Sequence, residues 1–130
     1  MEERMTSLSA GLAVYAMLAG DGELSGMVTK IFPVVTDEAE LPYIAYRRVS
    51  LENTAVKTGI RGTDTVRIEV ACYAASYADG VRIAEAVRRT LEGKRYRSDG
   101  LEVRMCLLAD AAEEWQDDAY VQRLSFDLKV

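Results

Sequence analysis

The chain has 130 residues, 49% of them hydrophobic and 28% charged, with a net charge of −5 and no histidine. This length and composition fit one domain, residues 1–130, with a core of its own, and exclude wholesale disorder. The acid excess argues against free nucleic acid as the main partner, since a dedicated binder neutralises phosphates with basic side chains, and the missing histidine excludes Ser-His and Cys-His nucleophiles and histidine-bound metals.

Taken in chain order, the first element is an apolar run, Leu12 through Ala19. Glu2-Glu3 before it carries the wrong charge for a signal peptide, no A-x-A cleavage site follows, and the run is too short to span a bilayer. It reads as a helix over residues 7–19, capped by Thr6 or Ser7 and ended at Gly20-Asp21-Gly22 by a left-handed glycine. Leu8, Leu12, Tyr15, Ala16 and Ala19 form one stripe, while Val14, Met17 and Leu18 fall largely off it. A helix apolar over more than one face needs more cover than a single sheet gives; a neighbouring subunit or a second layer of the same chain would supply it.

Residues 23–29 read as a short helical turn, and residues 30–35 as an extended edge segment, because Pro33 cannot donate to a ladder. Leu41-Pro42-Tyr43-Ile44-Ala45-Tyr46-Arg47-Arg48-Val49-Ser50 then reads as a proline-led strand, with Ile44 and Tyr46 on one face. A second strand, residues 64–73, presents Val66, Ile68, Val70 and Cys72 on a single apolar face. The connection between them, residues 51–63, is too long for a tight hairpin; loops of that length are usually functional. Within it, Gly59-Ile60-Arg61-Gly62 lacks the lysine and the strand-to-helix setting of a phosphate cradle.

A second helix is predicted over residues 77–92, opened by Ser76 with Asp79 as a weak capping box and stopped by Gly93. Its line of Tyr77, Gly80, Val81, Ala84, Val87 and Leu91 faces the core. The stretch from Arg88 to Arg97 holds five basic residues and one acid, which fits a solvated helix end better than a nucleic-acid patch. Two more strands follow: Leu101, Val103, Met105 and Leu107 alternate with Glu102, Arg104 and Cys106, and Gln122, Leu124, Phe126, Leu128 and Val130 alternate with Arg123, Ser125, Asp127 and Lys129. The expected class is α+β: a mainly antiparallel four-stranded sheet with two main helices on one face and a long loop between the first two long strands.

Little of this sequence offers chemistry. Asp110, Glu113, Glu114, Asp117 and Asp118 surround Trp115, but their spacing matches no calcium loop, and a solvated loop with Trp115 pinned to the domain or to a partner is the simpler reading. Tyr43, Tyr46, Tyr73 and Tyr77 form an aromatic stripe that suits protein contact better than base stacking, since no RNP or OB-fold pattern accompanies it. Cys72 and Cys106 fall in strands and read as packed free thiols of a reducing cytoplasm. No catalytic residue, cofactor or metal is expected.

The order of elements resembles the small tail-completion, or tail-terminator, proteins of long-tailed phages and prophages. The resemblance is carried by the N-terminal apolar helix, by Lys30-Ile31-Phe32-Pro33, and by the segment from Leu41 to Val49 with the Thr/Gly-bearing loop after it. Val70-Ala71-Cys72-Tyr73-Ala74, Tyr77-Ala78-Asp79, Ala84-Glu85-Ala86-Val87-Arg88 and the final stretch from Asp118 to Leu128 complete it. It implies a virion assembly protein that forms a ring, hexameric in the family, caps the tail tube and offers a surface to the head connector protein. It also implies assembly in the host bacterial cytoplasm and a final place at the tail neck, with no membrane and no specific nucleic acid partner. On that reading Val56, Lys57, Ile60 and Arg61 of the loop, together with Tyr43 and Trp115, are the expected partner contacts. The acidic segment around Trp115 and the basic run before the third strand depart from the family pattern. Another neck component, such as a head-closure protein, is the nearest alternative. A small-ligand or enzymatic domain using Cys72 or the acidic cluster is a more distant one.

Overall fold

The structure, a computed structural model, describes residues 5–34, 40–53, 64–98 and 100–130. Thr6 caps a single 3-10 turn, Ser7–Ser9, its hydroxyl accepting from the Leu8 amide, and α1 follows as Ala10–Ala19. α1 ends at Gly20, which keeps a right-handed φ of −79°, so the expected left-handed glycine is absent there. Asp21 is extended and caps α2 (Gly22–Ser25), its carboxylate accepting from the Leu24 amide at 2.9 Å.

The strands are β1 (Lys30–Pro33), β2 (Tyr43–Glu52), β3 (Thr65–Ala74), β4 (Tyr96–Ser98), β5 (Leu101–Val103), β6 (Met105–Gln116) and β7 (Ala119–Lys129), with α3 (Tyr77–Leu91) between β3 and β4. Among the described residues the main sheet has five strands in the order β1-β2-β3-β7-β6, and β4 pairs with β5 in a separate ribbon. The four-stranded antiparallel expectation is therefore corrected in two ways. The extended segment with Pro33 does join as the edge strand β1, but it runs parallel to β2. The predicted third strand is broken at Arg104, whose amide donates to Lys129 O at 2.7 Å as the chain passes from the ribbon to the sheet. That break resets the alternation, leaving Val103 and Cys106 buried and Leu107 exposed.

The helices lie over one face of the sheet. Ile44, Tyr46, Val66, Ile68, Val70, Cys72, Leu124, Phe126 and Leu128 point into the space beneath them and meet Ala10, Ala13, Val14 and Leu18 of α1 and Ile83, Ala86, Val87 and Leu91 of α3. On α3, Ile83 and Ala86 take the buried places expected of Tyr77 and Val81, because the buried stripe is rotated toward α1. Ser76 Oγ accepts from the Asp79 amide, while the Asp79 carboxylate turns to Arg82 at 2.6 Å, so only half of the capping box forms. Gly93 takes the left-handed conformation (φ +76°) expected after a helix, and its amide donates to Cys106 O at 2.7 Å.

The register gives the subunit two different ends. Ala74 pairs with Tyr120 near the turn Asp117-Asp118, where α3 begins. Glu52, Thr65, Lys129 and Met105 pair at the other end, where α3 stops and the basic run begins. β7 alone has 11 residues, a span of about 35 Å at ~3.3 Å per residue.

Candidate interaction surfaces

Of the six expected contact residues, Val56, Lys57, Ile60 and Arg61 lie outside the described residues. Their loop is anchored by the Glu52–Thr65 pair, the last of the β2–β3 ladder. Tyr43 and Trp115 are described, and the sheet separates them. Tyr43 pairs with Tyr73 on the face away from the helices, whereas Trp115 pairs with Tyr120 on the helix face.

Strand alternation breaks the tyrosine stripe in the same way. Tyr43 stacks on Tyr73 at 4.5 Å with a 13° interplanar angle, and Phe32 meets it edge-on at 5.9 Å. Burial, then the neighbouring Tyr73 and Asp117, raises the Tyr43 phenol above its ordinary value. Tyr46 is instead a buried core residue facing Tyr15 of α1. Tyr77 sits at the start of α3, edge-on to Tyr120 at 6.1 Å. The four rings make no common platform.

The expected acidic loop is in fact the end of the long strand β6 and a two-residue turn. Asp117 and Asp118 have φ of 52° and 59°, the double left-handed pattern of a type I′ hairpin. Aspartate tolerates the left-handed region, and pairing with β7 holds the two like charges side by side in the turn. Alternation then sends Glu113 and Glu114 to opposite faces. Glu113 accepts from Tyr77 Oη at 2.8 Å and Gln122 Nε2 at 2.9 Å. Those two donors hold its carboxyl below the usual range, Gln122 first, while the same bond pushes the Tyr77 phenol up. Glu114 crosses to Arg123, which also bonds Glu69 at 3.0 Å and Gln116 at 2.7 Å. A divalent cation needs several oxygens converging on one point, and among the described residues no three acidic or cysteine side chains do so.

Trp115 itself stands 58% exposed, edge-on to Tyr120 at 4.9 Å, and with Tyr77 and Tyr120 it forms an open aromatic patch beside the turn. Beyond the Tyr43–Tyr73 stack, the face of the sheet away from the helices carries internally paired polar side chains: Arg67 with Asp127, Arg123 and Arg47 with Glu69, Lys129 with Thr65.

A second surface is formed by the large residues of the expected helix stripe, which this chain leaves uncovered. On α1 and the turn before it, Leu8, Leu12 and Tyr15 are 64%, 55% and 44% exposed, while Ala10, Ala13, Val14 and Leu18 are fully buried. Leu8, Leu12 and Tyr15 thus face outward, while Ala10, Ala13, Val14 and Leu18 face the core. The signal was present in the sequence as Ala10-Gly11 and Ala13: small residues allow close approach, and a Cβ at Gly11 would sit 3.7 Å from the Tyr46 ring. Among the described residues no helix is long and apolar enough to cross a membrane.

Comparison with known proteins bears on these surfaces. A chain of the virion of a native gene transfer agent particle superposes with a TM-score of 0.80 at 20% identity, over 96% of this chain and 98% of that one. The structure of bacteriophage SPP1 gp17 protein superposes with a TM-score of 0.59 at 16% identity, over 95% and 90%. At such identities the likeness is one of fold. Comparison with curated proteins found no match. The sequence pattern of tail completion protein gp17 matches residues 12–130, which takes in every strand, most of α1, Trp115, Leu12 and Tyr15 but not Leu8. The chain therefore belongs to the tail completion protein gp17 family and is a structural component of the phage-type virion tail.

Proposed function

We propose that the protein terminates the tail tube as a ring, six-membered as in the resembling family, and presents the surface to which the head connector protein attaches. Its partners are further copies of itself, the tail tube protein and the connector, and the ring forms in the host bacterial cytoplasm. The observation that carries this reading is the outward apolar row of Leu8, Leu12 and Tyr15, on a helix whose other side is fully used in the core. A monomer gains nothing by keeping such a row in water; an assembled subunit buries it.

The remaining features fit a role without catalysis or cofactor. The one nucleophile with a foothold in the sequence, Cys72, is sealed in β3, and burial pushes its thiol up to about 12, far from a reactive thiolate. The loop of residues 54–63, with Val56, Lys57, Ile60 and Arg61, remains the proposed arm toward an adjacent subunit or the tube, since the long paired strands β2 and β3 lead into and out of it. Deleting residues 54–62 leaves a folded domain that cannot join tails to heads. Normal infectious particles from that deletion would sink the assignment of the arm, and particles of normal tail length lacking the protein altogether would sink the terminator role.

A further inference from the structure

The two charged runs of the chain end up at opposite ends of the subunit. At one end the hairpin turn presents Asp117 and Asp118, which make no ion pair among the described residues. Beside them lie the exposed rings of Trp115, Tyr120 and Tyr77, and the outer edge of β6, which among the described residues pairs only with β7. At the other end Lys94, Arg95 and Arg97 are exposed and likewise form no ion pair among the described residues, whereas Arg88 and Arg89 are engaged by Glu92 and Glu23. α3, with 15 residues, separates the two ends by roughly 22 Å at ~1.5 Å per residue, so the chain cannot bring its own complementary charges together.

We propose that the acidic aromatic end, Trp115, Asp117, Asp118 and Tyr120, docks on the Lys94, Arg95 and Arg97 segment of a second copy of this chain. The inference rests on the ring reading above and names the contact that closes the ring. The two surfaces differ and lie on opposite ends, so the contact is heterologous and passes from copy to copy, as a ring requires. Opposite charges fix the orientation of the encounter, and the aromatic side chains supply the area that holds it. Both segments border strands, β6 and β4, with one edge that no other strand pairs with among the described residues.

The test begins with D117N/D118G. Asparagine and glycine suit a type I′ turn better than two aspartates, so the fold is kept or strengthened while the charge is lost. Self-association, read by sedimentation or light scattering, falls at least about tenfold. D117K/D118K abolishes it, and D117K/D118K combined with K94E/R95E/R97E restores it. In parallel, Asp118→Cys with Arg95→Cys gives, on mild oxidation, covalent chains running up to the closed ring, both in solution and in isolated tails. The native thiols are buried and do not interfere. Oligomers that neither cross-link at this pair nor respond to the charge swap overturn the contact and leave the ring reading standing. Cross-linking of the Asp118→Cys variant to a different protein in tails assigns this end to that protein and overturns the contact as well. A protein that stays monomeric at every concentration and is present as one copy per tail overturns both readings.

Discussion

Arg67 and Asp127 meet as directly paired residues of β3 and β7, in a two-pronged contact with Nε–Oδ1 at 2.9 Å and Nη2–Oδ2 at 3.1 Å. The guanidinium holds the Asp127 carboxyl below its ordinary value of 3.8, its hydrogen bond being the main cause, with the charges of Arg67 and Lys129 adding to it. A depressed carboxylate contributes stability that is complete above the unfolded value and is lost as pH falls through the lower folded one. The side chains remain 42% and 27% exposed, so solvent screening limits the pair to about 0.5–1 kcal/mol. Asp127→Asn should lower stability by that amount at neutral pH. Urea titrations of both proteins should converge as pH drops below 3.8; a gap that persists at about pH 2 would show that the pair acts through packing rather than charge.

Gly80 lies inside α3, where glycine costs roughly 0.5–1 kcal/mol relative to alanine. A Cβ there would meet Ala74 Cβ and Gln122 Cγ at 3.7 Å and Tyr120 O at 4.0 Å, all ordinary contact distances. Gly80→Ala should therefore raise the melting temperature by a few degrees, corresponding to about 0.5–1 kcal/mol. A lower melting temperature would mean that α3 sits closer to β7 than these distances allow.

Much of this architecture is legible in the sequence, and the parts that are not share causes. The period-two faces of β3 and β7 and the stop at Gly93 can be read because each is set by local pattern. The polarity of α1 is hidden because apolar residues surround the helix: Ala10, Ala13, Val14 and Leu18 pack inward and Leu8, Leu12 and Tyr15 are left outside, a choice that no apolar–polar contrast along the helix announces. The acidic stretch reads as a loop because its charges obscure a strand whose stability comes from β7. A bulge between Leu108 and Asp110 shifts the pairing by one residue, and no sequence period reports a bulge. The parallel placement of β1 depends on contacts distant in sequence. Thr29 donates from both its amide and its hydroxyl to Pro42 O, which fixes β1 beside β2.

The two sides of α1 should respond oppositely to substitution. Leu18 is fully buried, so Leu18→Ala should cost about 2–5 kcal/mol, measured by chemical denaturation. Leu12 is 55% exposed, so Leu12→Glu should change the stability of the isolated subunit by less than about 0.5 kcal/mol. The same Leu12→Glu should nevertheless prevent incorporation into tails, because it places a charge in the row that the proposed assembly would bury. Wild-type incorporation of this variant would remove the row from the interface, whatever its effect on stability.

The two thiols should divide by location. Cys72 lies in central β3, and burial raises it to about 12; Cys106 lies at the start of edge strand β6, raised to about 12 by burial first and then by Glu92 and Asp127. An unfolded cysteine near ~8.5 is partly thiolate at about pH 8 whereas these buried thiols are not, so maleimide labelling of the native protein should be much slower than that of the unfolded chain. Labelling then depends on local opening, which is easier at a sheet edge than at its centre. Mass spectrometry over a time course in mild urea should find Cys106 modified before Cys72. Simultaneous modification would mean that β6 detaches only when the whole sheet unfolds.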